Sequence, residues 1–136
     1  MDKLTKTERS LLMSRVRSTD SKPELIVRRM VHRMGYRYRL HSRTLPGSPD
    51  LVFAGRRKIV FVHGCFWHGH TCRAGRNKPA SNQQYWNAKL ERNMRRDRIA
   101  SARLRRQGWS VLSVWECQTR KQEHLACRLM SFLERR

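Results

Sequence analysis

The chain has 136 residues, a length typical of one domain with its own core. Lys and Arg number 31 against 10 for Asp and Glu, which gives a formal net charge of +21. This balance favours a polyanionic partner, above all nucleic acid, and disfavours self-association at low salt. Charge alone fits a generally cationic, ribosomal-type protein equally well.

The longest apolar run is Ile59-Val60-Phe61-Val62, far short of the roughly 20 residues that cross a bilayer. We therefore expect no membrane partner. The N-terminus lacks the apolar core of a secretion signal, which favours a cytoplasmic, intracellular protein. In a reducing compartment the four cysteines are expected to be thiols or thiolates rather than disulfides. They are therefore candidate metal ligands.

The first clear helix begins at Ser21, with Pro23 in its first turn and Glu24 three residues after the Ser, and it ends before Gly35. A weaker helical pattern covers residues 4–17. Tyr36 to Leu45 is predicted to be strand and loop.

A Pro-Gly-Ser-Pro turn at residues 46–49 delivers Asp50 to the strand "DLVF". The run "KIVFVHG" is then typical of a strand covered on both faces, and the two strands predict a hairpin.

A long helix is predicted from Ser81 to Gln107, ended by Gly108. Residues 109–115 alternate as a strand, and Thr119 is predicted to begin a final helix. Strand, helix and strand in this order predict a right-handed parallel crossover. Spacings of three and four place one set of residues on a single buried face of the long helix: Leu90, Met94, Asp97, Ser101 and Leu104.

Asp50 and two histidines are the first candidates for chemistry. A carboxylate that enters an apolar strand is costly unless it binds a cation or accepts hydrogen bonds, although Asp50 could merely cap its turn. His63 follows the next strand, at the end that a hairpin brings towards Asp50. His68 comes five residues later, and two imidazoles near one carboxylate can orient water or move protons.

Two further carboxylates are ambiguous. Asp97, on the buried helix face, needs a partner, and the candidates are His68, His63 or an arginine. Glu24 is fully explained as a helix cap by its distance from Ser21, though a cap can also lie at a functional site.

The stretch "CFWHGHTC" contains metal-type ligands and large rings together. Cys65, His70 and Cys72 offer three ligands within one loop, and Cys117 at the end of a later strand could complete a tetrahedral structural zinc site. His68 could replace His70 as the ligand.

Phe66 and Trp67 lie in the same stretch. If zinc closes that loop, both rings project outwards and suit a wedge between base pairs. Met13 could form a second wedge, and the alternative for each ring is an ordinary core position.

The blocks "TLPGSPDLVF", "FVHGCFWHGHTC", "WNAKLERNMRRDR" and "GWSVLSVWEC" occur in this order, and with them the sequence resembles the very-short-patch-repair (Vsr) DNA mismatch endonucleases. The resemblance runs from about Met13 to about Arg120. It implies an α/β, restriction-endonuclease-like fold of the PD-(D/E)xK type, with a central mixed sheet flanked by helices. Residues 1–20 would then form a DNA-contacting segment and residues 21–136 the endonuclease domain.

The resemblance also implies roles for residues of the catalytic site. Asp50 would bind Mg²⁺ together with the main-chain oxygen of Val62. His68, backed by Asp97, would activate the water, His63 would assist at the phosphate, and Glu24 would be an auxiliary acid.

Outside the catalytic site, the zinc ligands implied by the resemblance are Cys65, His70, Cys72 and Cys117, and the intercalating residues are Met13, Phe66 and Trp67. The chain departs from restriction-type nucleases at residues 61–63, where Phe-Val-His replaces an acid-x-Lys pair. With fewer carboxylates, a cation is expected to keep more of its waters.

The expected reaction is Mg²⁺-dependent hydrolysis of double-stranded DNA on the 5′ side of the thymine of a T:G mismatch, left by deamination of 5-methylcytosine. The expected partners are mismatch-repair proteins and a cognate cytosine methyltransferase, the expected location is the nucleoid, and a monomer is the default. One alternative is a related nicking or restriction enzyme with another specificity. The other is a zinc-stapled nucleic-acid-binding protein without catalysis, which would show steep salt dependence.

Overall fold

The structure is a computed structural model, and it describes residues 21–65 and 83–135. Its helices are α1 (Lys22–Arg33), α2 (Gln83–Arg106) and α3 (Gln122–Glu134). Its strands are β1 (Arg39–Leu40), β2 (Leu51–Phe53), β3 (Lys58–His63) and β4 (Ser110–Trp115). Within these described parts of the chain, no helix combines the length and apolarity that crossing a membrane requires.

The four strands form one mixed sheet in the order β1-β2-β3-β4. β1 and β2 are antiparallel, as are β2 and β3, whereas β3 and β4 are parallel. The predicted hairpin and the predicted parallel crossover through the long helix are therefore confirmed in their strand directions. The β3–β4 register pairs His63 with Trp115, so the residues that follow these two strands leave the sheet side by side.

Helices cover both faces of the sheet. Because side chains alternate along a strand, Leu51 and Val60 point towards α1 and α3, while Val52 and Ile59 point towards α2. β3 is therefore buried on both sides, which explains its unbroken apolar sequence. The α/β architecture with a mixed sheet agrees with the fold that the sequence predicted.

Helix α1 follows the prediction closely. The hydroxyl of Ser21 accepts the backbone N–H of Glu24 at 3.5 Å, and Gly35 adopts a φ of +94° just after the helix. That φ lies in the left-handed region that glycine enters without steric cost.

Tyr36 to Leu45 holds a short strand and loop as predicted, with the strand limited to two residues. Two details of the sequence interpretation were wrong. Met94 is 37% exposed, whereas Trp86 and Ala100 lie on the buried face of α2 with Leu90 and Leu104. The final helix begins at Gln122 rather than Thr119, because Glu116–Arg120 forms a separate 3-10 turn.

Candidate catalytic site

Asp50 stands immediately before β2, at the end of the predicted turn. Its Oδ2 accepts the backbone N–H of Val62 at 2.7 Å, and its own carbonyl accepts the N–H of His41 at 3.1 Å. The turn itself is tightly packed, because Gly47 has a φ of +75° and a Cβ at this position would lie 2.6 Å from that of Ala100. The carboxylate is thus fixed between the ends of three strands.

The carboxylate of Glu24 reaches the same place from helix α1. Glu24 is 1% exposed, and its Oε2 accepts hydrogen bonds from Arg28 and from His41, the latter at 2.7 Å. The helix cap uses only the backbone N–H of Glu24. Capping therefore does not account for the Glu24 side chain, which is committed to the cluster instead.

Glu24, His41 and Asp50 form a compact cluster in which one ligand atom from each residue lies within 4.8 Å of the others. Burial raises the pKa of Asp50 to about 7. The N–H of Val62 opposes this rise, adjacent Glu24 adds to it, and Arg28 opposes it. A carboxylate pair with one member buried and the other half-buried is costly without a cation, because the like charges repel where little water reaches them.

The chemistry of the cluster fits a hard divalent cation. Two carboxylates supply the oxygen donors that Mg²⁺ and Mn²⁺ prefer, and an imidazole nitrogen is also an acceptable ligand for Mn²⁺. Glu24 also supplies the second carboxylate that β3 lacks at Phe61-Val62-His63. The cluster can therefore hold a cation at the edge of the sheet.

His63 is the last residue of β3 and is 5% exposed. Its ring stacks on Phe61 at 5.6 Å and lies 4.9 Å from the ring of Trp115. It shares the face of the sheet that α2 covers, since it is two residues beyond Phe61. Asp97 is half-buried on α2, beside the buried face of that helix rather than fully within it.

Cys65 and Cys117 meet where β3 and β4 end. Cys65 is buried, and its Sγ accepts the backbone N–H of Cys117 at 3.3 Å. Nearby, the side chain of Gln118 fixes the turn by accepting the N–H of Trp115 at 2.9 Å and a guanidinium N–H of Arg128 at 2.7 Å. Cys65 after β3 and Cys117 in the turn after β4 are thus neighbours, and two adjacent cysteines with a backbone N–H donated to one sulfur fit half of a thiolate metal site.

The remaining predicted site residues lie outside the described part of the chain. They are the predicted base, two zinc ligands and the three intercalating side chains: His68, His70, Cys72, Met13, Phe66 and Trp67. Their roles stay predictions.

Sequence reasoning missed His41 and Arg28. Arg28 lies one turn after Glu24 on α1, a spacing at which side chains meet, and this signal was available in the sequence. His41 had no comparable local signal, because it reaches Glu24 only when β1 pairs with β2 and brings residue 41 beside Asp50.

Similarity to known proteins bears on this site. The family described as DNA mismatch endonuclease Vsr matches residues 1–74. The chain is 47% identical over 133 residues to "Type II nicking enzyme V.XorIIP" of Xanthomonas oryzae pv. oryzae, covering 98% of this chain and 97% of that protein. It is 38% identical over 120 residues to "DNA mismatch endonuclease Vsr" of Escherichia coli K12, covering 88% and 76%.

Proposed function

The chain belongs to the Vsr family of DNA endonucleases, and from this premise we propose that it nicks a T:G-mismatched duplex on the 5′ side of the mismatched thymine. It is a nuclease and thus a hydrolase of phosphodiester bonds. The observation that carries the proposal is the placement of Asp50 beside buried Glu24 at the sheet edge. Such a carboxylate pair is what a cation-dependent nuclease needs and a passive DNA-binding protein does not.

Asp50, Glu24 and the main-chain oxygen of Val62 are the groups that would hold Mg²⁺. In an extended strand the N–H and C=O of one residue point to the same edge, so the Val62 carbonyl faces the side to which its N–H donates. When bound, Mg²⁺ polarises the phosphoryl oxygens and stabilises the departing 3′ oxygen. Arg28 meanwhile offsets part of the negative charge of Glu24 by donating to its Oε2.

Within this proposal His68 takes the proton of the attacking water, and Asp97 fixes the tautomer and orientation of that imidazole. His63 assists at the scissile phosphate. Its ring is held between Phe61 and Trp115, which keeps it at the end of β3 and leaves it few alternative rotamers. The reaction leaves a 5′-phosphate and a 3′-hydroxyl.

A structural Zn²⁺ site is part of the same proposal. Cys65, Cys117, His70 and Cys72 would hold the metal, and the contact between the first two cysteines supports this assignment. A closed zinc loop would present Phe66 and Trp67 as a wedge, which favours weakly stacked steps such as mismatches. Met13, in a DNA-contacting segment of residues 1–20, would insert beside them.

Double-stranded DNA is the substrate that the family implies, and the charge of the chain suits it. Exposed arginines cover much of α2, and these side chains can neutralise phosphates: Arg92, Arg95, Arg96, Arg98, Arg103, Arg105 and Arg106. Chromosomal DNA as substrate would place the enzyme at the nucleoid. Mismatch-repair proteins and a cognate cytosine methyltransferase are the proposed partners of a monomeric enzyme.

A strand-resolved nicking assay with Mg²⁺ tests this function. It compares T:G-mismatched with fully paired duplexes across varied flanking sequences, and uses Asp50→Asn as the matched control. We expect incision 5′ of the mismatched thymine, with a loss of at least about 10³-fold in the variant because its cation ligand and charge are gone. Unchanged nicking by Asp50→Asn would refute the assignment.

The second candidate is a nicking enzyme with another specificity, and it is favoured by the name of the relative "Type II nicking enzyme V.XorIIP". Equal incision of paired DNA would support this candidate. The non-catalytic alternative is set aside, because the family consists of endonucleases.

A further inference from the structure

His41 lies in the candidate catalytic cluster without a role in the function proposed above. It follows β1, and its backbone N–H donates to the carbonyl of Asp50 at 3.1 Å. Its ring Nε2 lies 2.7 Å from Oε2 of Glu24 and 3.3 Å from Nη2 of Arg28. One residue therefore contacts both carboxylate-bearing residues, through its backbone on one side and its ring on the other.

The tautomer follows from these neighbours. Glu24 is acceptor-only when ionised, and the guanidinium of Arg28 has only donors, so the short contact is an Nε2–H of His41 donating to Glu24. Oε2 of Glu24 then accepts from both His41 and Arg28, and the Glu24 side chain also hydrogen-bonds with that of Asp50.

The backbone of His41 also indicates a specific requirement. Its φ of +48° is in the left-handed region, which non-glycine residues enter at a steric cost. Glycine would adopt this left-handed backbone conformation with less strain. Strain retained at a clustered polar site points to a side chain that the site uses.

Arg28 cannot replace this contact. It lies on the same helix as Glu24, four residues later, so its hydrogen bond moves with α1 and does not fix the distance from Glu24 to the sheet. His41 belongs to the β1–β2 segment that carries Asp50. Its hydrogen bond to Glu24 therefore ties α1 to the sheet at the cluster.

We propose that His41 is a positioning residue of the cation site, whose imidazole holds Glu24 at the separation from Asp50 at which the two carboxylates share one divalent cation. This inference rests on the proposed function of Asp50 and Glu24. A merely structural His41 would stabilise the fold and leave the intrinsic cation affinity of the folded protein unchanged.

The test is a calorimetric titration of the zinc-loaded, full-length protein with Mn²⁺, with melting temperatures and nicking kinetics measured on the same preparations. Three substitutions separate the possible roles. His41→Ala removes the donor, His41→Gln keeps an amide donor, and His41→Gly removes both the donor and the backbone strain. His32→Ala is the matched control, because His32 is exposed on α1.

We expect His41→Ala to lower Mn²⁺ affinity about 10-fold, the usual size of such an outer-sphere loss, and to lower kcat rather than raise KM for DNA. His41→Gln should recover most of this affinity. His41→Gly should match the affinity loss of His41→Ala with a melting temperature no lower than that of the alanine variant. The His32 control should equal the wild type.

Two outcomes would overturn the inference. One is a Mn²⁺ affinity of His41→Ala equal to that of the wild type. The other is a glutamine variant that binds Mn²⁺ as weakly as the alanine variant. Asp50→Asn in the same titration separates the two proposals. If Asp50→Asn keeps wild-type Mn²⁺ affinity, the proposed cation site itself is refuted. If Asp50→Asn loses binding while His41→Ala keeps it, only the role of His41 is refuted.

Discussion

Two polar clusters in the described part of the chain lie at the ends of strands of the same sheet, and they are held together by different contacts. The catalytic cluster joins Glu24 of α1, His41 after β1 and Asp50 before β2. The cysteine pair joins the ends of two neighbouring parallel strands. The first combines two carboxylates whose like charges repel, whereas the second joins Cys65 to a turn that the hydrogen bonds of Gln118 fix. We infer that the first cluster is built for chemistry and the second for rigidity.

This difference predicts different responses to mutation. Changes in the cysteine pair should act on stability, because the proposed structural zinc would contribute directly to folding. Changes in the catalytic cluster should act on cation binding and nicking, and some should even stabilise the protein without its cation.

The largest expected effect on stability is that of Cys65→Ala. If Cys65 is a zinc ligand as proposed, its loss should remove bound zinc and lower the free energy of unfolding by several kcal/mol, seen as a large drop in melting temperature. Cys127→Ala is the matched control, because Cys127 is exposed on α3 and should leave both quantities unchanged. A Cys65→Ala protein that still binds one zinc per chain would show that this ligand is misassigned.

The catalytic cluster should make the stability of the protein depend on pH. Because the folded-state pKa of Asp50 is raised from 3.8 to about 7, the folded protein binds this proton more tightly than the unfolded chain does. Stability without a divalent cation at this cluster should therefore fall as pH rises through that window, by up to about 1.4 kcal/mol per pH unit, and stay low above it.

Urea unfolding at about pH 5 and about pH 8 checks this prediction, with Asp50→Asn as the reference that lacks the titrating group. The variant should gain stability relative to the wild type at the higher pH. Parallel pH profiles for the two proteins would contradict the charge repulsion that we assign to the cluster.

A smaller effect is expected at the turn that delivers Asp50. Gly47→Ala would place a Cβ 2.6 Å from that of Ala100 at a φ of +75°, so it should cost about 1–3 kcal/mol and also weaken nicking. Gly55→Ala is the control, since a Cβ added at Gly55 would have no atom within 4 Å. If the two variants have the same melting temperature, the turn is not tightly packed at Gly47.

Most of the fold could be predicted from the sequence, because the patterns that indicate its elements are local. The cap at Ser21, the turn before Asp50 and the apolar run of β3 each follow from short-range chemistry, and all three are confirmed. The meeting of Cys65 with Cys117 also follows once the parallel register is known. The 3-10 turn before α3 was missed because Thr119 resembles a helix start, whereas its hydroxyl donates to the carbonyl of Glu116 at 2.7 Å.

The catalytic cluster could be predicted only in part. Asp50 was singled out as a costly carboxylate, but Glu24 had a sufficient local explanation as a cap, and that explanation hid the partners of its side chain. His41 carries no local signal, because its contact with Glu24 depends on the pairing of β1 with β2. Residues recruited across elements are the ones that a local pattern does not identify.

The central claim is that Glu24 and Asp50 together hold the divalent cation that nicking requires. Crystals of the protein soaked with Mn²⁺ and measured near the manganese absorption edge test it most directly. We predict an anomalous peak within coordination distance of both carboxylates, and no such peak in Asp50→Asn crystals. A manganese peak bound elsewhere in the wild type, with none between Glu24 and Asp50, would contradict the account.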